Sequence, residues 1–138
     1  MKIVFVFTGK TFKGPILDIV SDYKKRISRY LPVEMIETKR SLKFQARPGF
    51  HIVLTPMGKS LGSRELADLI ERHASGGTKN MFFYVGGPDG FDSTFKEDEA
   101  DMKISLSAMT FNHQVVRIML MEQVYRALTI INSMPYHR

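Results

Sequence analysis

The sequence predicts an α/β domain built on a mostly parallel sheet, and three observations support this prediction. Short apolar runs rich in β-branched and aromatic residues alternate with longer segments whose apolar residues recur at helical spacing. At 138 residues the chain is long enough to bury one core. No internal repeat or long linker divides it, so we expect one domain over residues 1–138.

The first half of the chain is predicted to run strand, helix, strand, strand. KIVFVF is a nearly continuous apolar run, which is typical of a buried strand. A helix follows it, ends before Pro32, and presents Lys and Arg on the face opposite its apolar side. VEMIET and HIVLT are the second and third strands, and the basic residues 39–50 around Pro48-Gly49 are expected to be irregular. The apolar positions of the helix are Ile16, Ile19, Val20, Tyr23, Ile27 and Tyr30.

The second half is predicted to add two helices and two strands. Ser63 is the expected N-cap of a helix that runs to about Ala74, where Gly76-Gly77 ends it. NMFFYV is the fourth strand, and a GGPDGF loop and a short acidic helix follow it. KISL is the fifth strand.

The last predicted helix begins after an Asn112 cap, runs to about Ser133, and is apolar around most of its circumference. Such a helix must be buried almost all round, which is difficult for one small domain. We therefore expect its excess apolar surface to form the interface of a two-fold homodimer. The alternative is a central core helix. Glu122 and Arg126 lie one turn apart and are expected to form an ion pair.

The net charge of +6 is concentrated in the first part of the chain. Residues 1–50 hold 11 Lys and Arg against 4 Asp and Glu, whereas residues 51–138 hold 9 against 10. One interpretation is a solvated helix face and a basic loop, and the other is a surface that binds RNA phosphates. The candidate RNA-binding residues, here called the basic patch, are Lys24, Lys25 and Arg29. Phe44 could stack on bases, whereas Tyr23 and Tyr30 are expected to face the core.

Several classes of function are excluded by composition. The absence of cysteine excludes disulfides, thiolate catalysis and Cys-ligated zinc. The four histidines show no metal-ligand spacing, so we expect no metal. No apolar run approaches the roughly 18 residues needed to span a bilayer, and the first run is too short for a signal peptide. We expect a cytoplasmic protein with no membrane partner.

Two loops are candidates for ligand binding. YVGGPDGF directly follows a strand, and its glycines allow backbone to approach a ligand at the carboxyl edge of the sheet. A tight turn is the alternative. ISLSAMTFNH carries small, apolar and hydroxyl side chains, which suit a flat apolar ring held by backbone groups; the alternative is a buried strand end. No Ser-His-Asp set can be placed, so we expect a site that positions substrates and does little proton chemistry.

These loops, together with the PYHR segment (Pro135–Arg138), carry a family resemblance. VGGPDGF, ISLSAMTFNHQVVRIMLMEQVYRALTII and PYHR, in this order, resemble the RlmH-type 23S ribosomal RNA methyltransferases of the SPOUT, or α/β-knot, superfamily. The resemblance implies a deep C-terminal trefoil knot within about residues 80–138. It also implies a homodimer that uses S-adenosylmethionine to methylate N3 of a pseudouridine, position 1915, in ribosomal RNA of the large subunit.

The resemblance also assigns roles to individual residues. In the PYHR segment, Tyr136 would stack on or bond to a base, His137 would accept or relay the N3 proton, and Arg138 would bind a phosphate or the imide oxygens of the base. The alternative is that the segment is a structural cap on the dimer. We expect this segment to lie beside the cofactor. Two alternatives stay open: a non-catalytic RNA-binding or ribosome-assembly module, and a SPOUT methyltransferase that acts on tRNA. The residues expected to contact the cofactor are Leu54, Gly86, Leu106, Ser107, Ala108, Met109, Thr110 and Phe111.

Overall fold

A computed structural model describes all residues, Met1–Arg138, and contains each predicted strand and helix. The short acidic helix is a single turn of 3-10 helix, Glu97–Glu99. The strands and helices are, in chain order, β1 (Lys2–Thr8), α1 (Pro15–Ser28), β2 (Val33–Thr38), β3 (Phe50–Ser60), α2 (Ser63–Ser75), β4 (Asn80–Val85), β5 (Met102–Ser105) and α3 (His113–Ile131).

The five strands form one sheet in the order β2-β1-β4-β3-β5, and every neighbouring pair is parallel. The prediction of a mostly parallel sheet is therefore confirmed. Because parallel strands end at the same edge, the segments that follow β1, β4 and β5 all begin at the carboxyl edge of the sheet. This carboxyl edge includes the two loops that the sequence singled out.

The two faces of the sheet are covered differently. Alternate residues of β1 point to opposite sides, so that Phe5 packs in a large core with all three helices while Val6 packs in a smaller core. Residues near Leu42 and Phe95, from the segments 39–49 and 91–100, cover the smaller core in place of a helix. The three α-helices therefore occupy one face of the sheet only.

Three aromatic residues of the basic half, Tyr23, Tyr30 and Phe44, pack against the two cores. Tyr23 and Tyr30 both lie against Tyr125 of α3, as predicted. Phe44 stacks on Phe95 at 4.6 Å between ring centroids and packs against the smaller core, so the expectation that it stacks on RNA bases is wrong. Its apolar ring covers the face of the sheet that lacks a helix.

Strand β3 is longer than predicted, because it continues past Pro56 to Ser60. Ile104 of β5 pairs with both Leu54 and Lys59, so the residues between these two positions bulge out of the ladder. Proline lacks the N–H that a regular ladder needs, and the bulge accommodates it. A side chain at Gly58 would lie 2.7 Å from the backbone of Ile104, so only glycine permits this close approach.

The start of α2 differs from the prediction. Gly62, not Ser63, is the N-cap, and the Glu65 carboxylate accepts a hydrogen bond from the Gly62 N–H at 3.0 Å. The Ser63 hydroxyl instead donates to the Gln123 side chain at 2.7 Å and joins α2 to α3. Serine is a favoured N-cap residue, but at this helix start the Ser63 hydroxyl is used for the contact with Gln123 instead.

The Asn112 cap of α3 is confirmed, since its side-chain oxygen accepts from the Gln114 N–H at 2.8 Å. The helix ends at Ile131, two residues before the expected end. One side of α3 is buried in the large core, and the other is at least partly exposed. This outer side, called the α3 face below, consists of Val115, Ile118, Met119 and Glu122. Neither α3 nor any other helix is long and apolar enough to cross a membrane.

Candidate functional site

A cavity of about 560 Å³ opens at the carboxyl edge of the sheet. The ends of β3 and β4, the loops after β4 and β5, and the first turn of α3 surround it. All of the residues expected to contact a cofactor line this cavity except Ala108, which is exposed. Those that line it are Leu54, Gly86, Leu106, Ser107, Met109, Thr110 and Phe111.

The glycine-rich loop after β4 is a tight turn that forms one wall of the cavity. Gly87 and Gly90 exchange two backbone hydrogen bonds of 3.2 and 3.0 Å, and Gly90 has a φ of +78°, which favours glycine. A Cβ atom at Gly86 would lie 2.9 Å from the Gly90 carbonyl oxygen. Gly86 is therefore required by the packing of the turn on itself.

The loop after β5 is shaped by its own hydroxyl groups. The Ser105 hydroxyl donates to the Ser107 carbonyl at 2.7 Å, and the Ser107 hydroxyl accepts from the Met109 N–H at 3.0 Å. Because these hydroxyls bond within the loop, they orient its backbone. Met109 and Phe111, which are 71% and 37% exposed, present apolar surface beside the cavity. Such a wall suits a flat apolar group.

The cavity contains few groups that could transfer protons. Glu97 and His113 are its only acidic or imidazole side chains. Burial, and secondarily the positive charge of Arg117, lower the pKa of His113, so this imidazole is neutral near pH 7. No three His, Cys, Asp or Glu side chains come together as metal ligands would. The lining suits a site that orients its substrates.

Sequence reasoning missed the contacts that join α3 to the loop after β1. Arg117 is completely buried and donates to the Thr8 carbonyl at 2.6 Å and the Thr11 hydroxyl at 2.9 Å. Its guanidinium also lies 4.8 Å from the centre of the Phe7 ring and 3.5 Å from the Glu37 carboxylate. The signal in the sequence was an arginine on an otherwise apolar helix, but only the fold identifies its partners.

The PYHR segment is attached to the second half of α3. The Tyr136 hydroxyl donates to the Glu122 carboxylate at 3.2 Å, and the Arg126 guanidinium contacts His137 Nδ1 at 3.2 Å. Arg126 also pairs with Glu122 at 2.7 Å, as the sequence predicted. Burial, and secondarily the neighbouring Tyr23 hydroxyl and Glu122 carboxylate, raise the pKa of Tyr136, so its hydroxyl stays protonated. Since a guanidinium can only donate, Nδ1 accepts and the proton of a neutral His137 is on Nε2.

Within one chain this segment does not line the cavity, contrary to the expected position. Val116 lies at the cavity, and Arg126, ten residues further along α3, contacts the segment. Ten residues of helix span about 15 Å, so the helix carries the segment away from the site. The structure therefore brings together the expected cofactor contacts but not the three expected catalytic residues.

The basic patch is accessible. Lys24 and Lys25 on α1 and Arg29, its C-cap residue, are exposed, and none of them is paired with a carboxylate. The neighbouring Arg26, by contrast, pairs with Asp22 at 3.0 Å. Three positive charges of this helix are thus free to meet a negatively charged partner.

Comparisons with known proteins agree with this geometry. Residues 1–137 match a family described as predicted SPOUT methyltransferases. The chain is 44% identical over 140 residues to the ribosomal RNA large subunit methyltransferase H of Coprothermobacter proteolyticus, and the alignment covers all of both chains. It is 36% identical to the protein of that name from Parabacteroides distasonis, with 99% of each chain covered.

A solved structure shows the same fold. It is that of a probable methylase family protein from Haemophilus influenzae Rd KW20, which superposes with a TM-score of 0.57 at 8% identity and covers 99% of this chain and 70% of that one. The family match spans nearly the whole sequence, and the relatives share its full length. The chain belongs to the SPOUT methyltransferase family.

Proposed function

We propose that this protein transfers a methyl group from S-adenosylmethionine to N3 of a pseudouridine in 23S ribosomal RNA, at the position numbered 1915. Its site of action would be the cytoplasm, where ribosomes are found, and the whole chain 1–138 would act as one domain. The observation that carries the proposal is the cavity, which all but one of the expected cofactor contacts line. Full-length relatives named as methyltransferases of large-subunit ribosomal RNA support the choice of substrate.

The cavity suits S-adenosylmethionine in size and chemistry. Its volume of about 560 Å³ lies in the usual range for a pocket that holds a small organic ligand. The loop 106–111 would offer to the edge of an adenine those backbone groups that are not bonded within it, as the Ser107 carbonyl and the Met109 N–H are. Leu54 and Leu106 line the same cavity and would contact the adenine ring. The bound cofactor supplies a methyl group already activated on a sulfonium. The protein then needs chiefly to align the acceptor nitrogen and to help remove its proton.

We infer a homodimer from the α3 face. Val115, Ile118 and Met119 form an apolar stripe that no other part of the chain covers fully, and Val115 is 40% exposed. The cavity lies at the start of α3 and the PYHR segment lies at its end. A two-fold axis near the middle of the helix would bring the segment of each chain to the cavity of the other.

This arrangement gives the expected catalytic residues a place to act. Tyr136 and His137 are held by Glu122 and Arg126, and Arg138 is exposed. At the partner's cavity His137 would receive the N3 proton, Tyr136 would contact the base, and Arg138 would bind a phosphate. A site assembled from two chains also explains why the cavity of one chain has so few proton-transferring groups.

We also propose the C-terminal trefoil knot that the resemblance implies. The double pairing of Ile104 with Leu54 and Lys59 supports it, because the chain between those two residues bulges beside the strand that leads into the cofactor loop. The close approach of Gly58 to the Ile104 backbone holds this bulge tightly against β5.

Methyl transfer from labelled S-adenosylmethionine tests the function. The protein should be offered whole ribosomes, separate subunits, bare ribosomal RNA and tRNA, with nucleosides of the product identified by mass spectrometry. We expect N3-methylpseudouridine in 23S RNA only. Label in tRNA would favour the tRNA methyltransferase, and binding of ribosomes without any transfer would favour the non-catalytic module; either result would overturn the proposal.

A further inference from the structure

The loop after β1, residues 9–14, exposes an unusual set of side chains. Phe12 is 55% exposed, although a large aromatic side chain is normally buried. Lys10 and Lys13 on either side of it are also exposed, and neither pairs with a carboxylate. An aromatic ring between two free positive charges is the combination with which proteins bind single-stranded nucleic acid.

The loop is held rigidly even though its side chains project outward. The Gln114 side chain, which is almost completely buried, accepts from the Phe12 N–H at 2.8 Å and donates to the Lys10 carbonyl at 3.1 Å. Arg117 donates to the Thr11 hydroxyl, and Glu37 accepts from the Thr11 N–H. A ring that is exposed only because its loop is disordered would not have these contacts to the loop backbone. The loop is therefore preorganised with Phe12 in solvent, which lowers the entropy cost of binding a partner.

The loop also lies at the mouth of the cavity. The Phe12 ring packs edge-on against the His113 ring, with 5.9 Å between the centroids, and His113 lines the cavity. Thr8, directly before the loop, lies against Gly87 of the glycine-rich turn. A nucleotide whose base reached the cavity would thus have its neighbours close to this loop.

We propose that residues 9–14 form an RNA-contact loop, in which Phe12 stacks on a base beside the methylated nucleotide and Lys10 and Lys13 contact the flanking phosphates. This inference rests on the proposed function, because it names how the same substrate is held. Stacking on Phe12 would keep a single-stranded nucleotide unstacked from its own helix while the target base enters the cavity. The basic patch lies at the other end of the helix that follows the loop, about 15 Å or more away, and is a separate positive surface.

Substitutions at Phe12 test the stacking. Phe12→Ala should raise the KM for ribosomes about ten-fold, which corresponds to about 1.4 kcal/mol, and should leave the affinity for S-adenosylmethionine unchanged. Phe12→Leu keeps apolar surface but has no aromatic face, so it should behave like alanine, whereas Phe12→Tyr should behave like wild type. Because the side chain is exposed, none of the three changes should alter the thermal melting curve appreciably.

The lysines are tested against a matched control. Lys10→Gln with Lys13→Gln should weaken binding of a large-subunit rRNA hairpin, measured by fluorescence anisotropy, and reduce its salt dependence. Lys79→Gln removes another exposed charge, at the opposite edge of the sheet, and should change neither. Unchanged KM and hairpin affinity in Phe12→Ala, with ribosomes still methylated by wild type, would overturn the inference and leave the function intact. A changed oligomeric state in Phe12→Ala would assign the ring to a protein interface and also overturn it, and failure of wild type to methylate any rRNA would overturn both proposals.

Discussion

Substitution of Gly86 offers a test of the cofactor site that can be worked out from distances. A Cβ atom there would lie 2.9 Å from the carbonyl oxygen of Gly90 and 3.0 Å from its carbonyl carbon. These are backbone atoms, so no side-chain rotation can relieve the contact. The turn must instead move by several tenths of an ångström, which strains the two hydrogen bonds between Gly87 and Gly90.

The size of the effect follows from the cost of overpacking. Forcing one extra carbon into a well-packed site costs about 1–3 kcal/mol. If the cost falls on the conformation that binds the cofactor, Gly86→Ala should weaken binding by roughly 5- to 150-fold. Gly86→Val adds two further methyl groups and should abolish measurable binding. Calorimetric titration with S-adenosylmethionine gives the affinities directly.

A second glycine separates loss of binding from loss of stability. Gly77, after α2, has a φ of +86°, and a Cβ atom there would meet no other atom within 4 Å. Gly77→Ala therefore introduces only backbone strain, of about 1–2 kcal/mol. It should lower the free energy of unfolding without changing the affinity for the cofactor. Wild-type affinity in Gly86→Ala would refute the assignment of the glycine-rich turn to the cofactor site.

Four further predictions concern the dimer, the PYHR segment, the RNA surface and pH. Met119→Glu on the α3 face should give a folded monomer in sedimentation experiments, whereas Leu120→Glu should unfold the chain because Leu120 is fully buried; a monomeric wild type at micromolar concentration would contradict the dimer. Deletion of 136–138 should spare folding and cofactor affinity but abolish methylation, and a wild-type rate would show that the segment is not catalytic. Replacing the basic patch by Gln should flatten the salt dependence of RNA binding, by about 0.7–0.9 in slope for each phosphate that is no longer neutralised; an unchanged slope would mean that these charges are only solvated. Glu34→Gln should cost no more than about 1 kcal/mol at pH 7 and progressively less as the pH falls below the ordinary pKa of a Glu, because hydrogen bonds from Arg47 lower the pKa of Glu34 and this stabilisation is lost as pH falls through the lowered value; a loss in denaturation curves that does not change between neutral and acid pH would contradict the pairing.

The strands could be predicted because a fully parallel sheet buries both faces of its central strands. NMFFYV is β4, the central strand of the sheet, and KIVFVF is β1 beside it; both are apolar almost without interruption. The ends of elements were less predictable, because they depend on contacts distant in sequence. Pro56 would be expected to end β3, but the strand bulges at this point and continues. Ser63 is of a residue type that commonly caps helices, but its hydroxyl bonds to Gln123 instead.

The cofactor contacts could be named only through the resemblance. From composition and spacing alone, each loop could be either a binding site or an ordinary structural segment. Gly86 is an example. Glycine is required there because Gly90 approaches it closely within the turn, and such a turn occurs in proteins that bind no cofactor as well. The position of the PYHR segment could not be inferred from one chain. It depends on how far α3 runs before Glu122 and Arg126 bind the segment.

The polar residues of α3 explain why its sequence has so little amphipathic character. Gln114 and Arg117 point inward, where they are buried and hold the RNA-contact loop, while Val115 and Met119 point outward. Burying a guanidinium is costly, and the hydrogen bonds from Arg117 to the backbone and to Thr11 offset part of that cost. The rest of the inner side of α3, from Leu120 to Leu128, is apolar and packs in the large core, so the departure from an ordinary amphipathic helix is confined to its first two turns. There the buried polar side chains hold the loop beside the cavity, and the outward apolar ones are the surface on which we have proposed that a second copy of the chain packs.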